Sequence, residues 1–413
     1  MRRSQSKTGW RSAVAVCAMV WLPAANAAAQ GRTWTLADVL ARAREQAPQI
    51  VSARLAVEEA RGRLVGASIR QQSNPDLNFQ AGHRTGERGR FLDLQVGVRQ
   101  TLDPGSRRDA RIEGATALVE QGAASVEETT RVVLRQAASA YYRALHATDR
   151  IQLLDRAREL AAGVYNVADR RFRAGDIAVL DVNLARAALA RTRADRDAAG
   201  AARAVALGEL KQLLLIRDEL VVEGDLAAAL DDPEMAALQR SASERPELRA
   251  LEAAVREAEA DVRLGLASAK PVYGVGVQYS REEGDQVILG GLTITLPTFM
   301  KGQELGAVGT ARTTRLRAEL DAARTRIQIE VQSALDAYRE RRAAVRVLEA
   351  EALPGLDESD ALTTRSFDVG QISLPDLLLV RREFVDTRFH HLDALLEAAL
   401  ARVNVDASAA ILR

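Results

Sequence analysis

The chain of 413 residues has a single cysteine, Cys17, inside an N-terminal stretch expected to be removed. A mature chain without thiols forms no disulfide and no thiolate metal site. Aromatic residues make up only 4% of the chain, too few for a thick conventional core. Beyond the N-terminal stretch the only methionines are Met235 and Met300, so no methionine relay for soft metals is visible. No later apolar run is long enough for a transmembrane helix. A membrane crossing would therefore have to use strands. No nucleophile–base motif, phosphate loop or metal-ligand cluster is present, and the expectation is a protein without catalysis or cofactor. Gly274-Val275-Gly276 belongs to an alternating strand pattern and opens no helix, so it is no dinucleotide turn.

The first 30 residues read as an export signal. Arg2, Arg3, Lys7 and Arg11 precede an apolar stretch from Ala13 to Leu22. Ala25-Asn26-Ala27 or Ala27-Ala28-Ala29 then supplies a cleavage site. Val16 precedes Cys17, which does not fit a lipoprotein signal. Losing those four cations takes the formal charge from +1 to −3, which excludes a broadly basic nucleic-acid binder.

What remains is duplicated. Ala47-Pro48-Gln49-Ile50 returns as Arg245-Pro246-Glu247-Leu248. Phe172-Arg173-Ala174-Gly175-Asp176-Ile177, with Asp181, returns about 195 residues later as Phe367-Asp368-Val369-Gly370-Gln371-Ile372, with Asp376. Residues 1–27 are assigned to the signal, 28–232 to the first repeat and 233–413 to the second. Each repeat reads as helix, strand pair, very long helix, glycine turn and helix.

In the first repeat the helical period of residues 36–70, interrupted at Pro48, gives way to strict alternation. Leu77, Phe79 and Ala81 alternate with Asn78 and Gln80; Leu92, Leu94, Val96 and Val98 alternate with Asp93 and Gln95. Strands are expected over 76–84 and 91–102. In the second repeat they are expected over 272–280 and 287–296. Each is long enough to cross a bilayer at a tilt. A half-buried hairpin on a soluble domain gives the same alternation. Four strands cannot close a barrel alone, so a membrane reading requires oligomerisation.

Long helices are expected over 105–173 and 302–365, with return helices over 177–215 and 374–403. From Ile112, every seventh residue through Val119, Val126, Val133, Ala140, Ala147, Leu154, Ala161 and Ala168 is apolar. A sustained heptad predicts a coiled-coil-like seam.

Together these features resemble the TolC family of outer-membrane efflux channels across essentially the whole mature chain. Asn74-Pro75-Asp76-Leu77, Gln100-Thr101-Leu102-Asp103-Pro104-Gly105 and Leu296-Pro297-Thr298-Phe299-Met300-Lys301-Gly302 are most similar to its CzcC-like branch, which serves heavy-metal efflux. The resemblance implies a mainly α protein with a small β part. Three chains would build one twelve-stranded outer-membrane β-barrel and a periplasmic α-helical barrel. It implies an exit duct working with a periplasmic adaptor and an inner-membrane RND-type pump, in contact with outer-membrane lipid and not with nucleic acid. Export of drugs or other small molecules is the alternative cargo. A periplasmic coiled-coil adaptor and a soluble helical scaffold are the alternative classes.

The resemblance places Phe172, Gly175, Phe367 and Gly370 at the periplasmic tips. It assigns Asp376 to an acidic ring at the entrance and Asp181 to contacts that hold the tip closed. Two positions depart from the family: Leu379 replaces a second entrance acid, and Ile372 replaces a basic latch residue. An acid in a first helical turn is also favoured by the helix dipole, by about 0.3–1 kcal/mol, whatever its role. His390-His391 do not share a helix face, so they read as solvated or interface residues. His83 and His146 have no nearby partner in sequence. Arg84, Arg88 and Arg90 read as a basic outer loop, solvated or touching lipopolysaccharide.

Overall fold

The structure, a computed structural model, describes residues 33–412 apart from 88, 283 and 284. The expected export signal with Cys17 and the loop residue Arg88 lie outside the described residues.

Strand β1 (Thr33–Trp34) leads into α1 (Leu36–Gln46). Thr35 and Asp38 cap α1 reciprocally: the Asp38 N–H donates to Thr35 Oγ1 at 3.3 Å, and the Thr35 N–H to Asp38 Oδ2 at 3.1 Å. Pro48 opens α2 (Pro48–Ser68) at its first turn, where a missing N–H costs nothing. The hairpin β2 (Asp76–Gly86) and β3 (Gly89–Leu102) follows, then α3 (Gly105–Ala174) and α4 (Val179–Leu214). After β4 (Val221–Val222) and α5 (Met235–Ser243), the second repeat runs α6 (Pro246–Ser268), β5 (Val272–Glu282) and β6 (Asp285–Thr295). It continues as α7 (Gln303–Val347), α8 (Leu353–Asp368) and α9 (Leu374–Ser408).

At 70 residues, α3 is roughly 105 Å long at about 1.5 Å per residue. Such a rod has no interior and is held from its sides. Helices α2 and α6 pack along one part of it, α4 and α9 along the other, and α7 packs on α6 and α9. The buried seam shifts with these neighbours. Towards the hairpins Ala110, Ala117 and Ala124 are buried, while Ile112, Val119 and Val126 are half-buried. Further along, the series from Ile112 comes inside at Val133, Ala140, Ala147 and Leu154.

The second long helix differs from the expected continuous element over 302–365. A π-turn at Leu348–Ala352 divides α7 from α8, and Pro354 lies in the first turn of α8. Proline has no N–H to continue the ladder, and its ring crowds the preceding turn. The two segments still follow one another without a loop.

Sequence pattern shows no sign of a short parallel pair within the first repeat, around which the core draws in Val345, Leu395 and Val403 of the second repeat. β1 pairs in parallel with β4, matching Thr33 with Val221 and Trp34 with Val222. Around this pair lies the largest core cluster, with Val39, Ile50, Leu134, Ala137, Ala144, Leu210, Leu214 and Leu226 almost wholly buried. Tyr141 Oη donates to the Glu223 carbonyl at 2.6 Å, and Tyr338 Oη to the Asp231 carbonyl at 2.6 Å. Each long helix is thus pinned to a connecting segment by one tyrosine.

Candidate functional site: the strand sheet and the helical tips

The two hairpins join into one antiparallel sheet of order β2-β3-β5-β6. Register aligns their apolar positions. Leu77 stands opposite Val98, which stands opposite Val277; Phe79 opposite Val96, then Tyr279, then Ile288. Asn78, Gly97 and Gln278, like Gln80, Gln95 and Ser280, fall on the other face. The apolar face is open: Leu77 is 73% exposed, Phe79 67%, Val277 61% and Ile288 73%. A soluble chain rarely leaves a contiguous apolar band of this kind uncovered. A barrel strand in lipid shows this pattern, apolar outside and polar towards the lumen. Eleven tilted residues span about 25 Å. Among the described residues strands β2 and β6 each have a partner on one side only. Among the described residues no helix is long and apolar enough to cross a membrane.

The strands also run further than the polar turn residues suggest. Gly86 pairs with Gly89, and Glu282 with Asp285, leaving two-residue loops. Arg84 and Arg90 are therefore strand residues. Arg84 Nε lies 2.7 Å from Asp93 and its Nη2 3.3 Å from Glu282, so Arg84 belongs to an ion-pair group rather than a free basic loop.

At the other end, α3 closes with Gly175 at φ +85°. The Gly175 N–H donates to the Phe172 carbonyl and the Asp176 N–H to the Arg171 carbonyl, both at 2.9 Å. The second repeat repeats this at Gly370, φ +78°, through the Phe367 and Ser366 carbonyls. Only glycine takes that backbone conformation without strain, and the two crossed bonds satisfy carbonyls the helix end would orphan.

The equivalent phenylalanines have unequal surroundings. Phe367 is buried against Val164, Ala168, Val182 and Ala185 of the first repeat, with the Arg171 guanidinium 4.8 Å from its ring centre. Phe172 is 41% exposed. Ile372 joins the Phe367 cluster, so an apolar contact stands where the resemblance led one to expect a basic latch residue. Leu379 is exposed. Sequence reasoning missed Arg381, which links three helices: it donates to the Leu160 carbonyl at 3.3 Å and Thr364 Oγ1 at 3.1 Å, and lies 3.7 Å from Asp360.

Asp181 and Asp376 are the third residues of α4 and α9. Asp376 Oδ2 accepts from the Ser373 N–H at 3.2 Å and from Ser373 Oγ at 2.5 Å. Asp181 Oδ2 accepts from the Ala178 N–H at 3.3 Å. Among the described residues neither carboxylate has a cationic partner, and the structure does not pair them with each other. Both are fixed by helix caps, and Asp376 is exposed.

The histidines fall elsewhere. His146 Nε2 is 2.7 Å from Asp393 Oδ1, joining α3 to α9, and His391 Nε2 is 3.3 Å from Glu349 beside the π-turn. Among the described residues no group of three or more His, Cys, Asp or Glu is placed to hold a metal ion.

A sheet apolar on its outer face, carried on helices with capped glycine turns at the far end, defines a channel-forming class. The sequence profile of the outer membrane efflux protein family matches residues 39–214. The chain is 23% identical over 309 residues to the cobalt-zinc-cadmium resistance protein CzcC of Cupriavidus metallidurans, covering 74% of each. Its fold matches crystal structures of CusC, with a TM-score of 0.77 at 17% identity over 91% of each chain. It also matches the open-state MtrE channel of Neisseria gonorrhoeae, with a TM-score of 0.73 at 20% identity over 91% of this chain and 88% of that one. The chain is thus similar to TolC-like outer membrane efflux proteins, in sequence over much of its first repeat and in fold over 91% of its length.

Proposed function

We propose that this chain is the exit duct for heavy-metal cations in a tripartite efflux system. Three copies form the duct, which docks to a periplasmic adaptor and an RND-type pump and performs no chemistry itself. The observation that carries the duct is the open sheet. Among the described residues its exposed apolar face and two open edges fit a barrel in which lipid covers the face and strands of further copies complete the sheet. The metal cargo rests on the likeness to the cobalt-zinc-cadmium resistance protein. A deletion strain should lose tolerance to cobalt, zinc or cadmium and keep its tolerance to drugs. Loss of drug tolerance alone overturns the metal cargo and favours the reading suggested by the fold shared with MtrE.

In this reading Asp376 lines the entrance, and three symmetric carboxylates select for cations. Asp181 and the turns at Phe172–Gly175 and Phe367–Gly370 shape the tip. Because Asp376 also caps α9, alanine would mix two effects. Asp376→Asn keeps the size and removes the charge. Its channels in planar bilayers should show reduced cation selectivity with trimers intact; unchanged selectivity removes Asp376 from the ring.

A further inference from the structure

The register of the sheet sorts the charged residues at its loop end onto two faces. That end, at Gly86–Gly89 and Glu282–Asp285, lies opposite the one that joins the helices, so in the channel reading above it is the outer end. Arg84, Asp93 and Glu282 share the polar face with Gln80, Gln95 and Ser280, and Arg84 is ion-paired with both carboxylates there. Arg90 and Arg281 fall on the apolar face. Arg90 continues the series of Leu92, Leu94, Val96 and Val98, and Arg281 that of Val277 and Tyr279. Both are exposed, and among the described residues neither guanidinium has a carboxylate partner. Across from Arg90 stands Thr85, and across from Arg281 stand Leu94 and Gln286. The opposite end of the same face is the apolar row Leu102, Tyr273 and Ile294. From that row β3 climbs about 30 Å to Arg90 and β5 about 20 Å to Arg281, at about 3.4 Å per residue and a tilt of about 40°. The apolar band of such a barrel is about 25 Å tall. The two cations thus stand at its outer rim, one just above it and one just inside.

We infer that Arg90 and Arg281 form a binding site for the phosphate groups of lipopolysaccharide in the outer leaflet. The inference rests on the outer-membrane channel reading and adds to it a lipid headgroup that the barrel holds. A guanidinium presents a planar fork that matches two oxygens of one phosphate, and its carbon stem lies along apolar surface while the charge reaches the headgroup level. Position selects the source of the phosphate. Phospholipid of the inner leaflet meets the row of Leu102, Tyr273 and Ile294, which carries no cation. Free phosphate gains nothing from the neighbouring Leu92, Leu94 and Tyr279. Lipopolysaccharide has its phosphates where sugar meets acyl chain, so its chains cover those apolar residues while its phosphates meet the two arginines. His83 lies diagonally across from Arg90 on the same face and adds a polar group to the rim. Arg84, six residues before Arg90, takes no part, because it faces the lumen and is already paired.

The test uses the protein purified from outer membranes in mild detergent, with bisphosphorylated lipid A as the probe and native mass spectrometry reading the lipid bound. The unmodified protein should retain this lipid A and not its dephosphorylated form. Arg90→Gln with Arg281→Gln should lower the affinity about tenfold or more. Arg84→Gln should leave it unchanged. Conductance of the double variant in planar bilayers should equal that of the unmodified protein, which shows that its barrel has formed. A double variant that conducts and still retains lipid A in full overturns the site and leaves the channel reading standing. An equal loss in Arg84→Gln overturns the assignment of faces, and equal retention of phosphatidylglycerol overturns lipopolysaccharide as the source. Absence of the unmodified protein from outer-membrane fractions, with no conductance, overturns the channel reading and the site together.

Discussion

Helix α3 and the α7–α8 segment occupy equivalent places in the two repeats, yet one is unbroken and the other is divided. α3 is flanked along its length by α2, α6, α4 and α9, and its alanine seam shifts as those neighbours change. The α7–α8 junction has less cover: Val347 and Leu362 on either side of it are exposed. There the π-turn absorbs the lost regularity and Pro354 withholds an amide. Tertiary cover accompanies the unbroken α3; where cover thins, a local breaker divides the helix.

The firmest way to break that contrast is to loosen α3 itself. Leu134 is 1% exposed in the core that ties the repeats together. Leu134→Ala should cost about 2–5 kcal/mol through lost burial and a residual cavity. Its counterpart change Val331→Ala removes fewer carbons and should cost less, at about 0.8 kcal/mol per buried methylene. Denaturant titration of the detergent-solubilised protein checks the order; an equal loss from the smaller truncation would mean that α7 is held there at least as firmly as α3.

Alkaline titration probes the same core. Burial is the main cause that pushes the Tyr142 phenol up from 10.0 to about 12. A raised tyrosine pKa favours the neutral form in the folded protein. Between pH 10 and 12 the unfolded chain releases this proton and the folded chain keeps it, so stability falls as pH rises through that window. The stability lost at pH 12 should be about 2–3 kcal/mol. Tyr142→Phe should flatten this part of the profile, measured as denaturant stability of the detergent-solubilised protein against pH.

Pro354→Ala tests the divided helix directly. It restores an amide at the junction, and amide exchange over residues 348–354 should slow several-fold, a gain of about 1 kcal/mol in local protection. Unchanged exchange would place the cause of the π-turn in the packing around it.

Much of this architecture is legible in the chain. Alternation marks the strands, and the phenylalanine–glycine spacing marks turns that need a positive φ. Sequence analysis did not pick out the Arg249, Arg256 and Arg263 series of α6 that faces Glu127, Glu120 and Glu113 of α3, a match that requires knowing that α6 lies beside α3. The β1–β4 pair was not legible, because two-residue strands have no period to read. His146 found its partner 247 residues away in Asp393. Pro354 was passed over in the continuous helix expected over 302–365, since sequence alone does not say whether a proline ends a helix, divides it or sits in it harmlessly. At the tip, the two aspartates were legible as first-turn acids, whereas the burial of Phe367 and the exposure of Phe172 depend on which repeat lies next to which.

The finest difference between the repeats lies in their tip caps. Ser373 gives α9 a reciprocal cap: its Oγ accepts from the Asp376 N–H at 3.4 Å and donates to Oδ2. At the equivalent position α4 has Ala178, which offers no side-chain acceptor, so only the Asp181 half of the cap exists. Ser373→Ala should cost about 0.5–1 kcal/mol, and Ala178→Ser should gain a similar amount. The double variant would exchange the two caps while leaving both carboxylates in place. If Asp376 acts at the entrance through its charge, the exchange should shift protease sensitivity from one tip to the other and leave cation selectivity unchanged. A selectivity change in the exchanged variant would mean that the cap sets the orientation of the Asp376 carboxylate, making Ser373 a positioning residue for the entrance.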